Sequence, residues 1–295
     1  MKIFIDGKWL DKKDAKISTF DHGLLYGDGI FEGIRAYNGR VFKLSEHVER
    51  LFASAKGIML DIPYTFEEIE KIILTTVKNN QLKDGYIRVL VTRGVGDLGL
   101  DIRKCEKPTV IVIADKIELY PAGNYEKGLK VITSSLRRVP GQCLSPSIKS
   151  LNYLNNVMAR AEATRAGAAE AILLTTEGHV SECSGDNIFL VGDNEIRTTP
   201  TWIGILPGIT RACVIELIQT KLQMTLREEP FTLPDLYNAK EVFVTGTGAE
   251  IIGVTEIDSR KIGKGKQGPI TYKIRELYAD LVNSTGTPVY EKSEV

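Results

Sequence analysis

The 295-residue chain is 43% apolar and 26% charged, and its 38 basic and 38 acidic side chains give a formal net charge of zero. At ~150 residues per domain it has room for two domains whose cores need no disulfide or metal staple. The charge balance excludes a protein whose main work is nucleic-acid binding, which needs a basic surplus to release counterions. The longest apolar runs, such as Val110–Ala114, fall far short of the ~20 residues that span a bilayer.

The opening MKIFIDGKW places Asp6 too early for the apolar region of a signal peptide. Four cysteines without a C-x-x-C pair point to reduced thiols in a cytoplasmic compartment, and three unclustered histidines argue against a zinc site.

In chain order, KIFI and KWL form a predicted hairpin around the turn pair Asp6-Gly7. A helix is expected from Ser45 as N-cap, with Glu46 and Glu49 in its first turns, and a second over Phe66–Asn79. Strands follow at Tyr86–Gly94 and Thr109–Asp115. The stretch 120–128 holds Pro121, Gly123 and Gly128 and reads as a linker between an N-terminal domain, 1–119, and a larger C-terminal domain, 129–295. Beyond it come a strand (Leu129–Ser134) and a helix from about Leu151 that stops at Gly167. Two hairpins turn at Glu177-Gly178 and Gly192–Asn194. A helix from near Gly208, the strand EVFVTG, a helix over Ile270–Val282 and a loose polar tail from Asn283 complete the chain. Strands outnumber helices in both halves and hairpins recur, which predicts an α+β fold rather than a doubly wound one.

Three glycine-rich stretches, at 26–33, 245–253 and 263–268, miss the dinucleotide and P-loop patterns. GILPGITR (Gly204–Arg211) opens a helix whose first N–H groups suit a phosphate; a plain start capped by Thr210 is the alternative. His47 and Arg50 share a helix face, where a solvated arginine is the ordinary reading. Alternation sets Tyr86, Arg88 and Leu90 on one strand face and Ile87, Val89 and Val91 on the core face. The Tyr86–Arg88 pair suits a carboxylate ligand or a surface edge strand. Glu182, among small residues, suits a protonated ring nitrogen or a plain surface. Lys149 is the one charge between Gly141 and Val157, which suits a desolvated nucleophile or one lysine among many.

Seven ordered stretches carry a resemblance: DHGLLYGDGIFEGIR (Asp21–Arg35), FKLSEHVERL (Phe42–Leu51), YIRVLVTRGVGDLGL (Tyr86–Leu100), SIKSLNYLNN (Ser147–Asn156), SECSGDNIFL (Ser181–Leu190), GILPGITR and VFVTGTGAE (Val242–Glu250). Together they resemble the fold-type IV pyridoxal-phosphate enzymes, and among these the branched-chain amino acid aminotransferases, from about Ile3 to Leu281. The resemblance implies a small N-terminal and a larger C-terminal domain, as in D-amino acid aminotransferases. It implies pyridoxal 5′-phosphate bound covalently to Lys149, which also serves as base. Glu182 would pair with the pyridine nitrogen and Tyr153, one helical turn beyond Lys149, with the phenolic oxygen. Arg50, the helix start at Ile209 and Thr210, and Thr247 would hold the phosphate, and Leu206 would pack on the ring.

The same mapping gives the substrate α-carboxylate to Tyr86 and the backbone of Thr247 and Gly248. Tyr26, Phe31 and Gly33 would line the side-chain pocket, partly from a neighbouring subunit. Arg88 and Tyr26 would take the distal carboxylate of glutamate. The implied reaction is transamination of L-leucine, L-isoleucine and L-valine with 2-oxoglutarate, by a homodimer or higher oligomer. D-amino acid aminotransferases and aminodeoxychorismate lyases share Lys149, Glu182 and the phosphate groups, whereas Tyr86, Arg88 and Gly94–Leu100 resemble the branched-chain type. A non-catalytic pyridoxal- or phosphate-binding protein is the alternative outside enzymes. Cys183-Ser184 and Gly248 depart from the residues common in the family.

Overall fold

The computed structural model describes residues 1–116 and 120–290. The chain divides into two compact units: Met1–Ile117, Ile148–Asn152 and Val282–Val295 form unit 1, and Glu118–Ser147 with Tyr153–Leu281 form unit 2.

Unit 1 is built on an antiparallel sheet. β1 (Lys2–Ile5) and β2 (Lys8–Asp11) form the expected hairpin, with Ile5 opposite Lys8 and both Asp6 and Gly7 at positive φ. α1 (His22–Tyr26), β3 (Gly29–Tyr37), β4 (Arg40–Val41), α2 (Leu44–Gly57), α3 (Phe66–Asn79), β5 (Gly85–Thr92) and β6 (Thr109–Asp115) follow. The strand order is β4–β3–β5–β6–β1–β2, and Thr287–Pro288 pairs with the free side of β4. Alternation turns Ile30, Ile34, Ile87, Val89 and Val91 toward Leu44, Val48 and Leu51 of α2 and Ile69, Ile73 and Val77 of α3. Each of these side chains contributes ~1.5–3 kcal/mol by leaving water. The opposite face of the same strands carries Phe31, Gly33, Arg35, Tyr86 and Arg88.

Unit 2 comprises α4 (Ala122–Lys127), β7 (Leu129–Arg137), α5 (Leu154–Arg165), β8 (Glu170–Leu174), β9 (Val180–Cys183), β10 (Asn187–Val191), β11 (Glu195–Thr198), α6 (Ile209–Leu217), β12 (Thr225–Glu228), α7 (Leu233–Tyr237), β13 (Glu241–Gly246), β14 (Glu250–Ile257), β15 (Arg260–Lys261) and α8 (Pro269–Ser284), whose last residues count with unit 1. Its mixed sheet runs β12–β11–β10–β13–β14–β7–β8–β9, and β15 pairs with β14. The two predicted hairpins are β8–β9 and β10–β11. Leu129, Val131, Ile172, Val180, Ile188, Leu190, Val242, Val244 and Ile252 form its core. Both units mix hairpins with flanking helices, the α+β class expected.

Four local expectations change. Ser45 is not an N-cap: Lys43 takes that place at φ 52 without a side-chain cap, and the Ser45 hydroxyl donates to Glu70 on α3 at 2.6 Å. Residues 120–128 are not a bare linker, because Tyr120 is buried and 122–127 form α4 within unit 2. Residues 117–119, at the expected domain boundary, lie outside the described residues. α5 starts at Leu154 rather than Leu151, because residues 149–151 pair with β3 through a bridge between Ser150 and Ile30. The tail is held: α8 reaches Ser284, Val289 packs on the unit 1 core, and the Tyr290 hydroxyl donates to Leu82 O at 2.9 Å.

Candidate active site

Unit 1 carries Tyr26, Phe31, Gly33, Arg50, Tyr86, Arg88 and Lys149. Unit 2 carries Tyr153, Glu182, Leu206, Ile209, Thr210, Thr247 and Gly248.

In unit 1 the register of β3 and β5 sets Gly33 opposite Arg88 and Arg35 opposite Tyr86, so these side chains share one face with Phe31. Arg88 Nη2 donates to Tyr86 Oη at 3.0 Å, and the Arg88 guanidinium stands 4.6 Å from the Phe31 ring centre. A Cβ at Gly33 would lie 2.0 Å from Tyr86 Oη, so only glycine lets the phenol lie against β3. Burial pushes the Tyr86 phenol up, and neighbouring Arg88 offsets only part of that. It stays protonated near neutrality, with its hydroxyl hydrogen directed by a guanidinium that already occupies the oxygen.

Lys149 reaches this face by long-range backbone pairing. Phe31 N–H donates to Lys149 O and Leu151 N–H to Gly29 O, each at 2.9 Å, and Lys149 N–H donates to Ser54 Oγ at 3.1 Å. These bonds hold residues 149–151 as an extended addition to β3. Lys149 Nζ then stands 4.6 Å from the Phe31 ring centre. Lys149 and Tyr153 therefore do not share a helix, contrary to the expected one-turn spacing: Tyr153 is the first residue outside α5.

Behind this face, α2 presents His47 and Arg50 to Glu32, as their shared helix face allows. Arg50 Nε and Nη2 donate to the two Glu32 oxygens at 2.6 and 2.9 Å, and His47 Nδ1 lies 2.8 Å from Oε2. Burial pushes the Glu32 carboxyl up, but Arg50 and His47 together outweigh it and hold it at about 2. Burial pushes His47 down, with Glu32 opposing, so the imidazole is neutral at pH 7. Arg50 is thus held on Glu32 and mostly removed from water rather than solvated. Glu32 escaped the sequence reading, although a lone carboxylate inside GIFEGI was the available signal. Tyr26 stands apart from Arg88: its hydroxyl donates to Leu98 O, and its ring meets His22 edge-on at 5.1 Å.

In unit 2, Glu182 on β9 is buried. It accepts from Arg138 Nε at 2.9 Å, Asn187 Nδ2 at 3.2 Å and Leu206 N–H at 3.1 Å. Asn187 also donates to Leu206 O at 3.0 Å, which ties the GILPGITR loop to the carboxylate. Nothing in the local sequence signalled Arg138, just past the end of β7. α6 begins at Ile209 after Gly208, with no side-chain cap, so its first N–H groups are available to an anion. Thr210 lies in its first turn and does not cap it, and Thr247 and Gly248 occupy the tight turn between β13 and β14.

This fold, with a lysine on a strand extension and a buried acid beside an uncapped helix start, is that of a fold-type IV pyridoxal-phosphate enzyme. Residues 29–257 match the amino-transferase class IV family, so the chain belongs to the class IV aminotransferases, which use pyridoxal 5′-phosphate. It is 52% identical over 292 residues to the "Putative branched-chain-amino-acid aminotransferase" of Methanocaldococcus jannaschii, covering 99% of this chain and 100% of that one. It is 38% identical to the D-alanine aminotransferase of Staphylococcus haemolyticus, covering 96% and 98%. The solved branched-chain aminotransferase of Thermoproteus uzoniensis with norvaline superposes with a TM-score of 0.92 at 40% identity, covering 98% and 99%. Among the described residues, no helix is long and apolar enough to cross a membrane, and no cluster of metal-ligating side chains is found.

Proposed function

We infer that this aminotransferase moves the amino group of L-leucine, L-isoleucine and L-valine to 2-oxoglutarate, giving branched-chain 2-oxo acids and L-glutamate in a ping-pong cycle. One observation carries the reading: the β3–β5 face pairs an aromatic wall, Phe31, and the Gly33 notch with a single hydroxyl–guanidinium pair, Tyr86 and Arg88. An apolar side chain packs on Phe31 without stranding a charge, and Arg88 meets a second carboxylate when the substrate brings one. The branched-chain relatives support this choice.

The residues fit pyridoxal phosphate by chemistry. An amine stands on an aromatic ring, a buried carboxylate is held by three donors, and a helix starts without a cap. When bound, the cofactor supplies a ring that withdraws charge from the substrate α-carbon. Lys149 Nζ anchors it and takes the α-proton. Glu182 holds the ring nitrogen protonated, Tyr153 meets the phenolic oxygen and Leu206 covers the ring. Arg50, the N–H groups of Ile209 and Thr210, and Thr247 hold the phosphate. Tyr86 and the N–H groups of Thr247 and Gly248 orient the α-carboxylate.

Exposed Leu24, Leu98 and Leu100 in unit 1 and Leu154, Val157 and Trp202 in unit 2 support a homodimer, in which a partner's Tyr26 supplies what one chain keeps from Arg88. The free cysteines Cys105, Cys143, Cys183 and Cys213 fit a reducing cytoplasm. A D-amino acid aminotransferase is the second reading, favoured by the D-alanine relative. Separate half-reactions with L-leucine, L-valine and D-alanine, followed by the spectrum of the bound cofactor, decide between them. Conversion by D-alanine alone would reject the branched-chain reading.

A further inference from the structure

Unit 2 buries a second ionisable group that the reaction as read above does not use: Tyr120, Glu170 on β8 and Asp186 in the turn between β9 and β10, with the partly exposed Arg160 of α5 beside them. Tyr120 Oη lies 3.1 Å from both Glu170 Oε2 and Asp186 Oδ2. A phenol has one hydrogen, so it donates to only one of the two. The second contact is attractive only if that carboxyl is protonated and donates to the phenol oxygen.

The surroundings decide which carboxyl holds the proton. Donors surround Glu170: Arg160 Nη1 donates to Oε2 at 3.0 Å, and the N–H groups of Ala171 and Ser184 donate to Oε1 at 2.6 and 3.2 Å. Among the described residues, Asp186 has no cation against its carboxyl, and the phenol is its side-chain hydrogen-bond partner. The groups facing it are Tyr120 ahead of α4, Arg160 from α5, Glu170 from β8, and Glu182 and Cys183 from β9. Burial first, then the charges of Glu170 and Glu182, push its carboxyl up to about 7, with Tyr120 and Arg160 opposing.

We propose that Asp186 is a positioning residue that works as a neutral carboxylic acid, holding the Thr247 turn and the Glu182 strand in place for the cofactor, and that its ionisation loosens that hold. The link is geometric. A Cβ at Gly246 would lie 2.0 Å from Asp186 Oδ1, so the carboxyl rests on the backbone of the residue preceding Thr247. Asp186 O accepts from Cys183 N–H at 2.8 Å, closing the turn whose two arms carry Glu182 and Asn187. With Asp186 ionised, the one phenol hydrogen faces two carboxylates, so one of the two 3.1 Å contacts loses its hydrogen, and a buried negative charge sits one residue from a phosphate-holding turn. Cofactor retention therefore falls as pH rises above neutrality. The argument rests on the phosphate role of Thr247 given under Proposed function.

The test is equilibrium dialysis of the holoenzyme between about pH 6 and about pH 9, in wild type, Asp186→Asn and Asp186→Ala, alongside infrared spectra of the carboxylic C=O stretch. The amide of Asp186→Asn donates to the phenol without a charge to lose. Wild-type retention is expected to fall about tenfold more across this range than that of Asp186→Asn, and Asp186→Ala to be weak throughout. The infrared band is expected in wild type at about pH 6, lost at about pH 9, and reduced by one carboxyl in Asp186→Asn. Parallel pH profiles for wild type and Asp186→Asn, or no such band in wild type, overturn the proposal. The wild-type infrared titration needs no variant to fold. Thr247→Val is the separate check: full retention there removes the phosphate reading and the coupling with it, while the band still reports the proton.

Discussion

Each unit buries a carboxylate group beside arginine, yet the two respond in opposite directions. In unit 1, Glu32 meets both Arg50 and His47, and the pair holds it at about 2 despite burial. In unit 2, Glu170, Glu182 and Asp186 lie near one another, and Arg138 and Arg160 are engaged by Glu182 and Glu170. The carboxyl left over, Asp186, goes up to about 7. Burial has one sign for every carboxyl; the count and placement of cations decides the outcome. The anchoring differs as well. In unit 1 the assigned groups are side chains of β3, β5, α2 and the 149–151 stretch, and in unit 2 they are the Glu182 side chain on β9 together with a turn and an uncapped helix start.

The largest effect is expected at Lys149, the side chain assigned to anchor the cofactor. Lys149→Ala is expected to cut turnover by at least ~10⁴-fold and to remove the visible absorbance of the attached cofactor. Near wild-type rates in the variant would reject the assignment. Arg50→Ala comes next. It removes the cation assigned to the phosphate and leaves Glu32 buried with His47 and the Gly33 N–H as its donors. Loss of cofactor on dialysis is expected to rise about 100-fold, and unchanged retention would count against the phosphate role.

Opposite pKa directions give opposite pH slopes. Glu32 is lowered in the folded state, so its stabilisation is present above the unfolded value of 4.5 and is lost as pH falls toward about 2. Asp186 is raised, so the unfolded chain alone releases that proton above 3.8, and stability declines as pH rises to about 7 and then levels. Denaturation series from about pH 3 to about pH 8 should show Glu32→Gln removing an acid-side loss of about 2 kcal/mol below about pH 4.5, and Asp186→Asn removing a larger decline of opposite slope between about pH 4 and about pH 7. Slopes of one sign for both variants would break the comparison.

The sequence was most legible where local pattern and structure coincide. α3, β6 and β13 have the bounds read from periodicity. α3 also carries a capping box at Thr65 and Glu68, an acidic first turn that agrees with its apolar stripe. The alternation of β5 gave both its core face and the Tyr86–Arg88 pair. What escaped depends on distant partners. Lys149 stands where it does because residues 149–151 bond β3, more than a hundred residues away in sequence, and no local signal marks an extended stretch ahead of a helix. Ser45 lost the cap position to an αL residue, Lys43. Tyr120, Glu170 and Asp186 each look like ordinary polar residues until the fold brings them around one phenol.

The smallest effect tests the substrate face by itself. Gly33→Ala places a methyl where Tyr86 Oη now lies, since the Cβ would come within 2.0 Å of it. The phenol must swing off β3, and its hydrogen bond from Arg88 lengthens or breaks. Neither residue is assigned to the cofactor, so the two halves of the chemistry separate. KM for L-leucine should rise about tenfold, by the loss of one hydrogen bond to a charged group, while cofactor retention stays at the wild-type level. Tyr86→Phe should match it in KM, because it removes the same hydroxyl without the added methyl. A Gly33→Ala enzyme that sheds cofactor, or one that binds L-leucine as before, would mean that the β3–β5 face and the cofactor cradle are not the independent parts that their residues describe.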